Sequence, residues 1–65
     1  MGHSFFVPGR TYRIGGLEYY VHLVVIVVYG PVAFVTYDRN GSTDCGILHQ
    51  GSYDEWLANG KTTSP

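Results

Sequence analysis

A second cysteine is missing from this 65-residue chain, in which Cys45 stands alone. No disulfide can therefore staple the fold from within, and a lone thiol fits a reducing compartment, so a cytoplasmic location is expected. Charge is also scarce: four basic and five acidic residues are scattered singly, for a net charge of −1. No basic stripe is present to track a phosphate backbone, and strong nucleic-acid binding is not expected. The start Met1-Gly2-His3-Ser4-Phe5-Phe6 has no basic segment of the kind that opens a secretory leader.

The usual signatures of chemistry are missing as well. Gly15-Gly16 has no following Lys or helix pattern, so it reads as a turn and not as a phosphate loop. His3, His22, His49 and Cys45 lack the C-x-x-C or H-x-x-x-H spacing of a metal site, and neither metal nor cofactor is expected. Cys45 could pair with His22 or His49, oriented by Asp38 or Asp44, in a small thiol- or metal-dependent enzyme. Nothing in the spacing requires this, and cysteine more often serves as a small buried hydrophobe. The expectation is a protein that is not an enzyme.

Against these absences stands one dominant stretch, Tyr19-Tyr20-Val21-His22-Leu23-Val24-Val25-Ile26-Val27-Val28-Tyr29. Branching at Cβ narrows χ1 and favours a pleated strand over a helix. With a period of two, one face carries Tyr19, Val21, Leu23, Val25, Val27 and Tyr29, and the other Tyr20, His22, Val24, Ile26 and Val28. Both are apolar. A domain this small buries only roughly 60% of its unfolded surface, so a single copy is short of material to cover both faces. Homo-oligomerisation follows as an expectation. The competing reading is a single-pass membrane helix over Tyr19–Tyr37, a span with no Asp, Glu, Lys or Arg. The β-branched content and the Gly30-Pro31 pair favour two strands joined by a turn.

The rest of the chain supplies punctuation. Phe5-Phe6-Val7 forms an apolar arm (residues 1–7), and Pro8-Gly9 turns the chain. Arg10–Ile14 alternates as a first strand, and Gly15-Gly16 links it to the long one, which is expected to bend at a bulge within Val24–Val28. Gly30-Pro31 is expected to form the next reversal, ahead of a strand over Val32–Tyr37. Asn40-Gly41 predicts a two-residue type I′ hairpin that sets Arg39 opposite Ser42, Tyr37 opposite Asp44 and Phe34 opposite Ile47. A fourth strand runs from Thr43 to His49. Ser52 and Glu55 have the spacing of a capping box. They open a short helix whose Tyr53, Trp56 and Leu57 share a face, with Asn59-Gly60 ending it. Residues 61–65 read as a flexible tail, leaving one small domain over residues 8–60.

Pro8, Gly9, Tyr12, Gly15, Gly16, Tyr19, Val21, Tyr53 and Trp56 together make a pattern that resembles small SH3-like β-barrels of bacteria and phages. The resemblance covers residues 8–60 and implies a mainly β fold, an antiparallel barrel of four to five strands with a short C-terminal helix. It carries no catalytic motif. The function expected from size and composition is a binding or interaction module. A phage or mobile-element accessory protein that engages a host protein or sequesters a small nucleotide-like ligand fits that description. Tyr12, Arg13, Tyr37 and Arg39 offer aromatic faces and planar donors as a candidate ligand site. Phe5, Phe6, Tyr20, Val24 and Ile26 are the candidate contacts between copies.

Overall fold

A computed structural model describes residues 4–59. Strands β1 (Thr11–Ile14), β2 (Leu17–Val27), β3 (Gly30–Arg39) and β4 (Ser42–Leu48) are followed by helix α1 (Gln50–Ala58). The strands form one antiparallel meander in the order β1-β2-β3-β4, and no ladder joins β4 to β1 among the described residues. The chain is thus mainly β with a terminal helix. The Tyr19–Tyr37 stretch is a β-hairpin, and no helix among the described residues is long and apolar enough to cross a membrane.

Local turn chemistry sets the meander. Asn40 and Gly41 both hold positive φ, 51° and 83°, as a type I′ turn demands. The β3–β4 register is then the expected one, with Arg39 opposite Ser42, Tyr37 opposite Asp44 and Phe34 opposite Ile47. At Pro8-Gly9 the Arg10 amide donates to the Val7 carbonyl at 3.2 Å, closing the turn. The chain then runs along the edge of β2: the Val21 amide donates to the Arg10 carbonyl at 3.0 Å, and the Gly9 amide to the Val21 carbonyl at 2.8 Å.

Two expectations about the central hairpin are corrected. The reversal falls at Val28-Tyr29, with Val27 opposite Gly30, so Gly30-Pro31 belongs to β3. Val28 and Tyr29 keep negative φ, and Gly30, at φ +125°, takes up the reversal that a side chain would resist. The bulge lies earlier than Val24–Val28. Val21 pairs with Val35 and Leu23 with Phe34, so His22 is the extra residue. Because side chains alternate with a period of two, one added residue exchanges the faces of everything after it. Tyr19, Val21, Val24 and Ile26 therefore share the face of Ala33 and Val35. Leu23, Val25 and Val27 join Tyr20 on the other. A simple alternation over the whole strand is wrong from Leu23 onward.

The core lies on the Val21 face. Phe6, Tyr12, Val21, Ala33, Val35, Leu48, Tyr53 and Trp56 form one buried cluster, with Phe5, Ile14, Tyr19 and Val24 packed against it. Helix α1 closes this face by contacting β1, β3 and β4. Its start differs from the capping-box expectation. The N-cap is His49, without a side-chain bond, and Ser52 sits inside the first turn with its amide donating to the His49 carbonyl at 3.0 Å. Leu48 must stay in the ladder opposite Ala33, and starting the helix directly after it lowers Tyr53 and Trp56 onto the core. Leu57, expected on the same face, is exposed. The Asn59 amide, at the C-cap, donates to the Glu55 carbonyl at 3.0 Å, ending the helix as expected. Gly60 and the expected tail lie outside the described residues.

Aromatic rings fill the space between helix and sheet. Phe6 meets Tyr12 edge-on at 4.8 Å between centroids and Tyr53 at 5.1 Å, and Tyr12 meets Trp56 at 4.9 Å. Such edge-to-face pairs each add about 0.5–1.5 kcal/mol beyond the area they bury. Phe6→Ala is accordingly expected to destabilise the protein by about 3–5 kcal/mol, read as a lowered midpoint in urea. A change below about 1 kcal/mol would show that Phe6 is not part of the core. Gly41→Val is expected to cost on the order of 1 kcal/mol or more through the positive φ it must hold, and an unchanged midpoint would disprove the type I′ turn.

Candidate interaction surface

The four residues of the candidate ligand site do not converge. Tyr12 is 3% exposed, with its ring inside the aromatic core and its hydroxyl accepting the Val7 amide at 2.9 Å. No face of that ring is left for a ligand. Arg13, next to it in β1, points to the opposite side of the sheet and forms an exposed ion pair with Glu18. Tyr37 is half-buried on the core side, its ring edge-on to Tyr19 at 5.0 Å. A Cβ on Gly46 would meet that ring at 3.2 Å, so the glycine in β4 makes room for Tyr37. Arg39 ends β3 and is exposed.

The candidate contacts between copies separate as well. Phe6 is 3% exposed and belongs to the chain's own core, with Phe5 edge-on beside it at 5.0 Å. The arm is therefore spent within its own fold. Val24 packs against the same core from β2, whereas Tyr20 lies on the other face. Ile26 shares the parity of Val24 but lies beyond α1 and the arm, and it stays largely exposed.

The outer face of the sheet is covered by neither α1 nor the arm, although Val32 on it is buried. It changes character along its length. At one end an open hollow of about 510 Å³ is lined by Thr11, Glu18, Tyr20, Thr36, Asp38 and Thr43, among others. Its charged lining groups are carboxylates, and each has a partner: Glu18 in the Arg13 ion pair, and Asp38 accepting from the Thr43 hydroxyl at 3.0 Å. Such a surface offers a phosphate no basic lining group. In the middle His22 stands out of the bulge, its Nε2 sharing a hydrogen bond with the Thr36 hydroxyl at 2.8 Å and its ring edge-on to Tyr20 at 4.8 Å.

Beyond His22 the face is apolar. Leu23, Phe34 and Ile47 are register partners in one row across β2, β3 and β4, exposed by 47%, 42% and 48%. Val25 and Val32 pair in the next row, half-buried and buried respectively. Reading residue types along the chain does not single out Leu23 and Ile47. The Asn40-Gly41 register, which already sets Phe34 opposite Ile47, was the signal that could have found part of the row.

The thiol site finds no support in this placement. Cys45 is exposed and pairs with Thr36 across β3–β4, while His22 is on β2. Thiol and imidazole thus stand on strands separated by β3, roughly 9–10 Å apart at the backbone, with the imidazole engaged by Thr36. Among the described residues, no three His, Cys, Asp or Glu side chains gather to hold a metal. His3 lies outside the described residues.

The exchange of faces at His22 has a direct test. Val24→Ser is expected to destabilise by about 1–3 kcal/mol, through lost burial and a hydroxyl brought against the core. Leu23→Ser, on the half-exposed face, is expected to cost less than about 1 kcal/mol. Denaturant titration of both variants giving the reverse order would place the bulge elsewhere. Compared with family models, curated proteins and solved structures, the chain finds no match.

Proposed function

We propose that this chain is a non-enzymatic interaction module that works by protein–protein contact and assembles with itself. The observation that carries this reading is the Leu23–Phe34–Ile47 row, a half-exposed apolar band running across three strands on the side of the sheet that α1 leaves open. Contiguous apolar surface of this kind marks contact sites more often than solvent-facing sheet. The arm and helix are already committed to the opposite side, so nothing further among the described residues is available to cover the band.

A macromolecular partner suits this face better than a nucleotide-like ligand. The hollow beside the band presents hydroxyls and carboxylates and no basic lining group, whereas a phosphate would need arginine, lysine or free backbone amides. The apolar band with a polar rim is the ordinary anatomy of a protein interface. An SH3-like relationship and a cytoplasmic accessory role in a phage or mobile element, directed at a host protein, remain part of the proposal. The first rests on the meander, the bulge in β2 and the terminal helix, and the second on small size and the lone cysteine.

Sedimentation equilibrium across the micromolar range tests self-assembly. The weight-average mass is expected to rise with concentration above that of one chain, and Phe34→Glu, which puts a carboxylate in the centre of the band, is expected to lower the association at least tenfold with the circular dichroism spectrum unchanged. A monomer mass at every concentration would overturn the reading.

A further inference from the structure

The central hairpin outruns its neighbours. β1 pairs with β2 only from Leu17 to Tyr20, and Gly9 and Arg10 extend that contact to Val21. From Leu23 to Val27 the outer edge of β2 has no backbone partner among the described residues. The register shows which groups this edge presents. The closing pair of a two-residue hairpin is hydrogen-bonded, and bonded pairs then alternate along the ladder. With Val27 opposite Gly30, residues Val27 and Val25 direct their amides and carbonyls toward β3, and Val24 and Ile26 direct theirs outward. Two independent features agree with this phase. Val21 bonds outward to Arg10 and Gly9 on the far side of the bulge, and Pro31, opposite Ile26, occupies a position where no amide is needed toward β2.

Natural edges are normally blocked by lysine, proline, a bulge, a covering loop or an inward charge. The bulge at His22 ends before Leu23, none of the others guards Leu23–Val27 among the described residues, and no Asp, Glu, Lys or Arg occurs from Tyr19 to Tyr37. We propose that this edge pairs antiparallel with the same edge of a second copy, joining two sheets into one about a dyad at Val25. Val24 of each copy then exchanges hydrogen bonds with Ile26 of the other. Leu23, Val25 and Val27 continue the outer apolar face across the junction.

The observations favour a second copy over another partner on three counts. The edge is self-complementary: an outward-facing pair spaced two residues apart matches its own two-fold image, and an isologous contact needs only that. It is uncharged, so no like charges meet at the dyad. The edge also carries exposed apolar side chains beside the pairing positions, Ile26 at 77% and Val28 at 99%, which a contact between copies would cover.

This inference rests on the self-assembly reading, and hydrogen exchange separates the two. At concentrations where sedimentation shows the dimer complete, the Val24 and Ile26 amides are expected to be protected, and dilution into the monomer is expected to release them at least a hundredfold. A dimer in which both amides exchange freely would overturn edge pairing and leave self-assembly through the apolar face standing. A chain that stays monomeric overturns both. Protection of Val24 and Ile26 that persists in the monomer would assign the edge to another segment of the same chain and would also overturn the proposal. Ile26→Pro removes an outward amide and no β3 bond, so it is expected to weaken dimerisation at least tenfold with the hairpin intact. Register is read by Val25→Cys in a Cys45→Ala background. The dyad sets the two cysteines in a non-bonded pair about 4.5 Å apart at Cα, within disulfide reach, and diamide is expected to link them. Failure to cross-link while Leu23→Cys in the same background does link would overturn the dyad at Val25.

Discussion

The fold depends on the extra residue at position 22. A regular β2 would carry Val21, Leu23 and Val25 on one side throughout, and Val24 would face away from the core. The bulge lets the strand bury Val21 in its first half and turn Val24 to the same core in its second. The histidine is suited to the site. Its ring meets Tyr20 edge-on and reaches the Thr36 hydroxyl, so the displaced residue is held by contacts of its own and not left as a gap in the ladder. A bulge also raises local twist, and it stands where the hairpin leaves the shelter of β1.

From that arrangement follows an uneven division of labour between the two sides of the sheet. The arm, α1 and four aromatic rings, Phe6, Tyr12, Tyr53 and Trp56, are all committed to one side. Among the described residues nothing comparable is left for the other. The outer face solves half of the problem with polar side chains, from Arg13 and Glu18 to Thr36 and His22, and leaves the other half apolar. The apolar half and the unguarded strand edge meet at the same end of the molecule. Both features are what the proposed contact with protein rests on. The acidic lining of the hollow points away from phosphate-bearing ligands.

Much of the connectivity was legible in the sequence because turns are local. Asn40-Gly41, Gly15-Gly16 and Pro8-Gly9 each need φ values that few residues accept, and the neighbouring strands inherit their register from them. The helix was legible from Tyr53 and Trp56, but its start was not. Ser52 and Glu55 have capping-box spacing, yet the pairing of Leu48 with Ala33 decided where the strand ended. The reversal at Val28-Tyr29 was hidden for a related reason: Gly30-Pro31 has the stronger turn composition, and it acts here just after the turn.

The candidate site was far less legible. Tyr12 and Tyr37 look alike in sequence to an exposed aromatic, and only packing shows that one is core and the other lies over Gly46. Residue types and spacing by themselves determined a β-rich chain, the register of its last hairpin, and an excess of apolar surface in the central stretch. Which side each of those apolar residues serves was decided by tertiary structure. In a run of β-branched residues every register buries similar groups, and only the fit of Val21 and Val24 against the helix-covered core selects the one with a bulge at His22.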